Sequence, residues 1–144
     1  MNRLKQLFIT LPFLITMSLN STAQKQRNFL ALGDSYTIGE QVPYEANFPN
    51  VLVQQLNALG MPCAAPVIIA TTGWTTDELA AAIQERALQE QFSFVSLLIG
   101  VNNQYQHKPI EQYKEEFRTL LKTAIELAGD KKERVFVISI PDYG

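Results

Sequence analysis

Four short apolar runs alternate with three segments of helical periodicity, and this alternation constrains the fold of the chain more than any other feature. The runs cover about 28–33, 66–71, 93–99 and 134–140. Each run is apolar almost throughout rather than at every second position, which is typical of parallel strands that are covered on both faces. Because a helix between two parallel strands makes a right-handed crossover, the order predicts a three-layer α/β/α sandwich.

The three helical segments carry their own start and stop signals. The first opens near Pro49, a favoured first-turn residue, and stops at Gly60, which adopts the left-handed conformation readily. The second begins at Thr75, and Glu78 follows three residues later, which is the spacing of a capping box. The third runs from about 109 to 128 and has one charged, solvated face. These signals place one helix between each pair of consecutive strands.

The amino-terminal segment has the pattern of a secretory signal peptide. Arg3 and Lys5 precede an apolar stretch at 7–15, and small residues follow it up to Ala23. The apolar stretch is shorter than the roughly 20 residues of a membrane span and is interrupted by polar residues and proline. We therefore expect a signal peptide at 1–23 that is cleaved after Ala23, a secreted or periplasmic protein, and no stable membrane anchor.

Composition limits the remaining segment, 24–144, to a single domain. The chain has 144 residues and 47% hydrophobic content, enough for one core. Without the signal peptide, 10 basic and 14 acidic side chains remain, so the formal net charge falls from −2 to −4. The basic residues are scattered, and we expect no nucleic-acid partner. The single cysteine, Cys63, and the single histidine leave no cluster for zinc, so we expect no metal and no cofactor.

Candidate catalytic residues follow the first three predicted strands. A Gly-Asp-Ser turn places Ser35 at the carboxyl end of the first strand, the edge at which open α/β sheets bind ligands. Gly73 follows the second strand and Asn102 the third. A hydroxyl, a glycine that permits close backbone approach and an amide donor are suited to acyl transfer. In this interpretation, the N–H groups of Ser35, Gly73 and the Asn102 side chain stabilise the negative charge that develops on the carbonyl oxygen.

Each of these residues also has a purely structural interpretation. Glycine, aspartate and serine all favour turns, so 33–35 fits a simple turn with Asp34 as turn former or helix cap. Gly73 fits an ordinary loop glycine, and Asn102 fits a turn or capping residue before the third helix. Their occurrence in order, each just past a strand, favours the catalytic interpretation.

The same segments resemble the sequence blocks of the SGNH hydrolases, also called GDSL esterases and lipases. The similar blocks are residues 29–39, the loop that carries Gly73, and residues 100–102. The resemblance implies that Ser35 is the nucleophile and that Gly73 and Asn102 join the Ser35 amide in an oxyanion hole. It also implies a parallel, flavodoxin-like sheet, with four strands present and a fifth missing. The implied substrate is a small ester, such as an acyl lipid or an acetylated sugar.

Two features depart from the family pattern. The first is Asn103, which stands where many members have aspartate. The second is the base, which in the family is a histidine in an Asp-x-x-His block after a fifth strand. The sequence given ends at Gly144, just after the fourth predicted strand. His107 lies near the correct edge, but loop histidines are mostly solvated and no neighbour in sequence orients its ring. We therefore expect a C-terminally incomplete SGNH hydrolase-type domain at 24–144.

Two classes of function follow from these observations. The first is a secreted serine esterase that hydrolyses ester or acetyl-ester bonds through an acyl-serine intermediate, here as an inactive fragment. The alternative is a non-catalytic α/β binding module that retains the esterase pocket. A nucleotide-binding protein fits less well, because the loop after the first strand lacks the glycine spacing that cradles phosphates. The complete reading frame separates the first two, since only the enzyme requires an Asp-x-x-His block.

Overall fold

A computed structural model describes residues 25–140 and places four parallel strands in one sheet. The strands are β1 (Phe29–Gly33), β2 (Val67–Ala70), β3 (Phe94–Leu98) and β4 (Val135–Val137). All four predicted strands are confirmed, although β4 ends at Val137, before the predicted boundary at 140. The predicted signal peptide at 1–23 lies outside the described residues.

Five α-helices lie within the described part of the chain. They are α1 (Ser35–Ile38), α2 (Phe48–Ala58), α3 (Thr76–Arg86), α4 (Val101–Tyr105) and α5 (Ile110–Leu127). The three predicted helices are confirmed as α2, α3 and α5, and the Thr75 N–H donates to Glu78 Oε2 at 2.9 Å, as the capping box requires. The single-turn helices α1 and α4 were not predicted, since their residues also favour turns. Between residues 25 and 140, no helix has the length and hydropathy needed to cross a membrane.

The strand order is β2-β1-β3-β4, so β1 lies inside the sheet with β2 on one side and β3 on the other. Gly33 is paired with Ala70 of β2 and with Leu98 of β3, so these strands end at one level. The chain leaves β1 toward β2 but leaves β3 toward β4, in the opposite direction. The crevice between β1 and β3 is therefore the topological switch point, where such sheets bind ligands.

Helices cover both faces of the sheet, which confirms the three-layer α/β/α sandwich. On one face, Leu32 of β1 shares a buried cluster with Leu79 of α3 and Leu120 of α5. On the other face, Ala31 of β1 packs with Val53 of α2. Successive residues of β1 thus enter two different cores, and all five of its residues are buried. Because β1 is buried on both faces, it is apolar at every position.

Within residues 25–140, the face that carries α2 is only partly covered by helix. Beside α2 lies a groove of about 650 Å³, and its lining includes Leu52, Phe94, Phe136 and Ile138. Phe136, on the edge strand β4, is 56% exposed and its ring meets the Phe94 ring edge-on at a centroid distance of 6.4 Å. The opposite face is covered by both α3 and α5.

Candidate active site

Ser35 is the first residue of α1 and follows β1 after a single capping residue. That residue, Asp34, is extended, and its Oδ1 accepts a hydrogen bond from the Tyr36 N–H at 3.1 Å. An aspartate at this position satisfies one of the N–H groups that the start of a helix leaves without an intrahelical partner. The cap fixes a tight turn that leaves Ser35 half-buried at the carboxyl edge of the sheet.

The Asp34 carboxyl group is fully buried. Its Oδ2 atom has no hydrogen-bond partner within the described residues. Burial raises the pKa of Asp34 above its ordinary value, against the opposing effect of the N–H groups of Tyr36 and of Asp34 itself. The turn beneath Ser35 therefore contains a carboxyl group whose charged form is disfavoured by its surroundings.

Gly33 lies where the chain packs too closely for any side chain. A Cβ atom at this position would lie 2.0 Å from Thr37 Oγ1 and 2.5 Å from the backbone oxygen of Leu98. Leu98 belongs to β3 and is held by strand pairing, so that oxygen has little freedom to move. The absence of a side chain at Gly33 allows Thr37 of α1 and Leu98 of β3 to approach the Gly33 backbone closely.

Gly73 lies in the connection between β2 and α3 and has a backbone φ of +84°. This left-handed conformation favours glycine. A Cβ atom there would meet no described atom within 4 Å beyond Gly73 and its two neighbours in sequence. Crowding is therefore not what requires glycine at this position, and the open space leaves room for a ligand to approach the loop.

Asn102 lies in the first turn of α4, where it is half-buried. Its Nδ2 atom donates a hydrogen bond to the backbone oxygen of Trp74 at 2.9 Å. This bond joins the segment after β3 to the loop that carries Gly73, while the second N–H of the amide stays available for another acceptor. Ser35 lies at the same edge, after β1. No hydrogen bond joins Ser35 to Gly73 or Asn102 in the part of the chain that is described.

Asn103 has a structural role that the sequence did not reveal. Its side chain is 2% exposed, and its Oδ1 accepts from the Thr76 N–H at 3.1 Å. Its Nδ2 donates to Thr76 Oγ1 at 2.7 Å, and the Thr76 hydroxyl donates to the Glu116 carboxylate. Asparagine is common in turns, so no local signal distinguished this residue from a turn former. The hydrogen bonds connect the starts of α3 and α4 with α5.

Lys108 makes a second connection between the end of α4 and the start of α3. Its Nζ donates to Asp77 Oδ1 at 2.7 Å and to Thr75 Oγ1 at 3.0 Å. The hydrogen bond from Lys108 lowers the pKa of Asp77, and the same bond raises the pKa of Lys108. In sequence, Lys108 belongs to a polar stretch that predicted only a loop.

The structure gives His107 no catalytic arrangement. The residue is exposed, has a backbone φ of +53°, and its side chain makes no hydrogen bond within residues 25–140. Across the same residues, no group of three or more His, Cys, Asp or Glu side chains is arranged to hold a metal ion.

Comparisons with known proteins point to one family and one fold. A sequence model of the GDSL-like lipase/acylhydrolase family matches residues 31–144. None of the curated protein sequences matches the chain significantly. The solved structure of AlinE4, an SGNH-hydrolase family esterase, matches with a TM-score of 0.66 at 18% identity and covers 78% of this chain and 58% of its own.

Two further solved structures give the same result. The psychrotrophic esterase EstA from Pseudoalteromonas sp. matches with a TM-score of 0.59 at 16% identity, over 83% of this chain and 64% of its own. A member of the lipolytic protein G-D-S-L family from Veillonella parvula DSM 2008 matches with a TM-score of 0.56 at 20% identity, over 78% of this chain and 56% of its own. The chain thus spans less than two thirds of each of these proteins, and the likeness shows a shared fold.

Proposed function

Since the chain belongs to the GDSL-like lipase/acylhydrolase family, we propose that it is a serine ester hydrolase with Ser35 as its nucleophile. The observation that carries the proposal is the placement of three segments at the carboxyl edge of β2, β1 and β3. These segments hold Gly73, Ser35 and Asn102, and the hydrogen bond from Asn102 to Trp74 ties two of them together. Ser35 and Asn102 flank the switch point, where a ligand is expected.

In the proposed reaction, Ser35 Oγ attacks the carbonyl carbon of an ester, and an electron pair moves onto the carbonyl oxygen. The N–H groups of Ser35 and Gly73 and the unused N–H of Asn102 stabilise this oxyanion. When the carbonyl re-forms, the bond to the alcohol oxygen breaks and acyl-Ser35 remains. The hydroxyl proton passes through a base to the departing alcohol, and water then releases the acid.

The proposed reaction requires a general base beside Ser35. The resemblance assigns it to a histidine in an Asp-x-x-His block, and the one histidine of this chain, His107, is exposed. Without a base, the Ser35 hydroxyl keeps its proton and is a weak nucleophile. We therefore propose that residues 1–144 alone retain only the effect of the oxyanion hole and binding, about 10³–10⁴-fold over water in a comparable triad knockout.

The proposed substrates are ester or acetyl-ester bonds of small molecules, such as acyl lipids and acetylated sugars. We further propose that the protein acts outside the cytoplasm, on the basis of the signal-peptide pattern at 1–23.

A serine-directed fluorophosphonate tests the nucleophile in the protein made from its natural gene. We expect the probe to label the wild type and not Ser35→Ala. EstA, whose structure has a similar fold, was solved inhibited by monoethylphosphonate. The matched control is Ser93→Ala: Ser93 precedes β3, at the opposite edge of the sheet, and its hydroxyl donates to Asn28 Oδ1 at 3.0 Å.

Three results are distinguishable in this experiment. Labelling that is lost in Ser35→Ala and kept in Ser93→Ala supports the proposal. Labelling that survives in a folded Ser35→Ala variant places the nucleophile elsewhere. A folded wild type that binds an ester analogue but is never labelled favours the non-catalytic binding module. The structural argument for that module is that the exposed His107 side chain has no hydrogen-bond partner within residues 25–140.

A further inference from the structure

The hydrogen bonds that run from Asn103 through Thr76 to Glu116 have a fixed direction. An ionised carboxylate only accepts hydrogen bonds. Glu116 Oε1 accepts from Gln112 Nε2 at 2.7 Å, and its Oε2 accepts from the Thr76 hydroxyl. A hydroxyl has one proton, and Thr76 uses that proton on Glu116. Any further hydrogen bond at Thr76 Oγ1 must therefore come from a donor.

Position 103 must supply that donor and also an acceptor. The Asn103 Nδ2 atom donates to Thr76 Oγ1 at 2.7 Å, while Oδ1 accepts from the Thr76 N–H at 3.1 Å. An aspartate at 103 would still accept from the N–H group but would have nothing to donate. Two carboxylates would then compete for one proton, at a position where Thr76 is fully buried and Asn103 is 2% exposed. The amide at 103 thus matches the acid at 116.

The same hydrogen bonds determine how two site segments lie relative to each other. Asn103 follows Asn102 directly, and Thr76 comes two residues after Trp74. The first turn of α4 is therefore joined to the Gly73 loop by the Asn102–Trp74 bond and to the start of α3, directly after that loop, by the Asn103–Thr76 pair. If the Asn103–Thr76 hydrogen bonds are lost, the Asn102–Trp74 bond remains to hold the two segments together.

We propose that Asn103 is a positioning residue, which acts through Thr76 and Glu116 to fix the spacing between the Asn102 amide and the Gly73 loop. That this spacing serves catalysis rests on the proposed function, whereas the direction of the hydrogen bonds does not. It has a specific corollary: exchanging acid and amide between 103 and 116 restores a complete set of hydrogen bonds. In that exchange, Thr76 donates to Asp at 103 and accepts from the side-chain amide of Gln at 116.

The experiment compares Asn103→Asp, Glu116→Gln and the double variant in the natural protein. We expect Asn103→Asp to lower the Tm by about 5 °C and to slow fluorophosphonate labelling by about 10-fold. Glu116→Gln alone stays near the wild type, because its amide oxygen also accepts from Thr76. The double variant recovers most of both losses. The matched control is Asn103→Asp with Glu115→Gln, since Glu115 on the same helix is exposed and pairs with Arg118.

Each outcome separates the two proposals. Recovery of Tm and labelling in the double variant, with no recovery in the Glu115→Gln control, supports the positioning role. Equal recovery in the control shows a general charge effect and overturns it, as does a double variant that stays unfolded or fails to recover. A Tm recovery with labelling insensitive to Asn103→Asp overturns the positioning role but keeps the hydrogen-bond directions. A Tm recovery in a protein that is never labelled overturns the proposed function and, with it, the positioning role.

Discussion

Asn102→Ala removes the amide that has two separate tasks in the site. One N–H donates to the Trp74 backbone oxygen at 2.9 Å, and the other is the proposed oxyanion donor. Loss of one such donor lowers kcat by about 10²–10³, which corresponds to roughly 2.7–4 kcal/mol of transition-state stabilisation. Loss of the Trp74 bond costs about 0.5–1.5 kcal/mol of folding stability, because water can replace part of it. The loss of transition-state stabilisation, in kcal/mol, thus exceeds the loss of folding free energy.

The assay is kcat for a nitrophenyl ester, measured with the protein from its natural gene, together with the free energy of unfolding in urea. The control is Asn57→Ala, which removes two hydrogen bonds to the Cys63 backbone, at 2.8 and 3.1 Å. Cys63 forms an isolated β-bridge with Arg27, which precedes β1 and lies at the edge of the sheet opposite to Ser35. We expect Asn57→Ala to lose stability with an unchanged kcat. An unchanged kcat in Asn102→Ala, or an equal loss in both variants, refutes the assignment of Asn102.

Two further predictions concern the turn beneath Ser35. Gly33→Ala places a Cβ atom 2.5 Å from the Leu98 backbone oxygen and should cost about 3 kcal/mol of unfolding free energy in urea. Gly60→Ala, with open space and a φ of +73°, should cost only about 1 kcal/mol, and a similar loss in both would contradict the close approach. For Asp34→Asn, the free energy of unfolding relative to wild type should be greatest above the folded-state pKa of Asp34, because burial raises that pKa and penalises the charged form. The difference should decrease as the pH falls toward the ordinary value of 3.8, and urea titrations that show it increasing would contradict this.

The layers of this fold follow from local sequence. β1 is apolar throughout because adjacent residues such as Ala31 and Leu32 enter different cores. The start of α3 is predicted by Thr75 and Glu78, which lie three residues apart, and the capping hydrogen bond between them is present. Such signals involve residues that are close in sequence, so the sequence alone is enough to recognise them.

The site depends on contacts that no local pattern encodes. Thr76 meets Asn103 across a separation of 27 residues and Glu116 across 40. Asn103 looked like a turn residue because asparagine in a polar stretch usually is one, and only the tertiary structure shows its burial. The roles of Ser35, Gly73 and Asn102 in an oxyanion hole stay predictions, since the Asn102 side chain is hydrogen-bonded to the Gly73 loop but, among the described residues, neither is hydrogen-bonded to Ser35.

The position of β1 inside the sheet gives the molecule an uneven resistance to local opening. β1 has five buried residues and a paired strand on each side, whereas β4 has three residues and, within the described chain, one neighbour. Sheet margins with few buried contacts open at a lower free energy than central strands. The segments that carry Ser35, Gly73 and Asn102 all leave β1, β2 or β3. Transient fraying of β4 can thus occur while these three strands and the segments that leave them keep their arrangement.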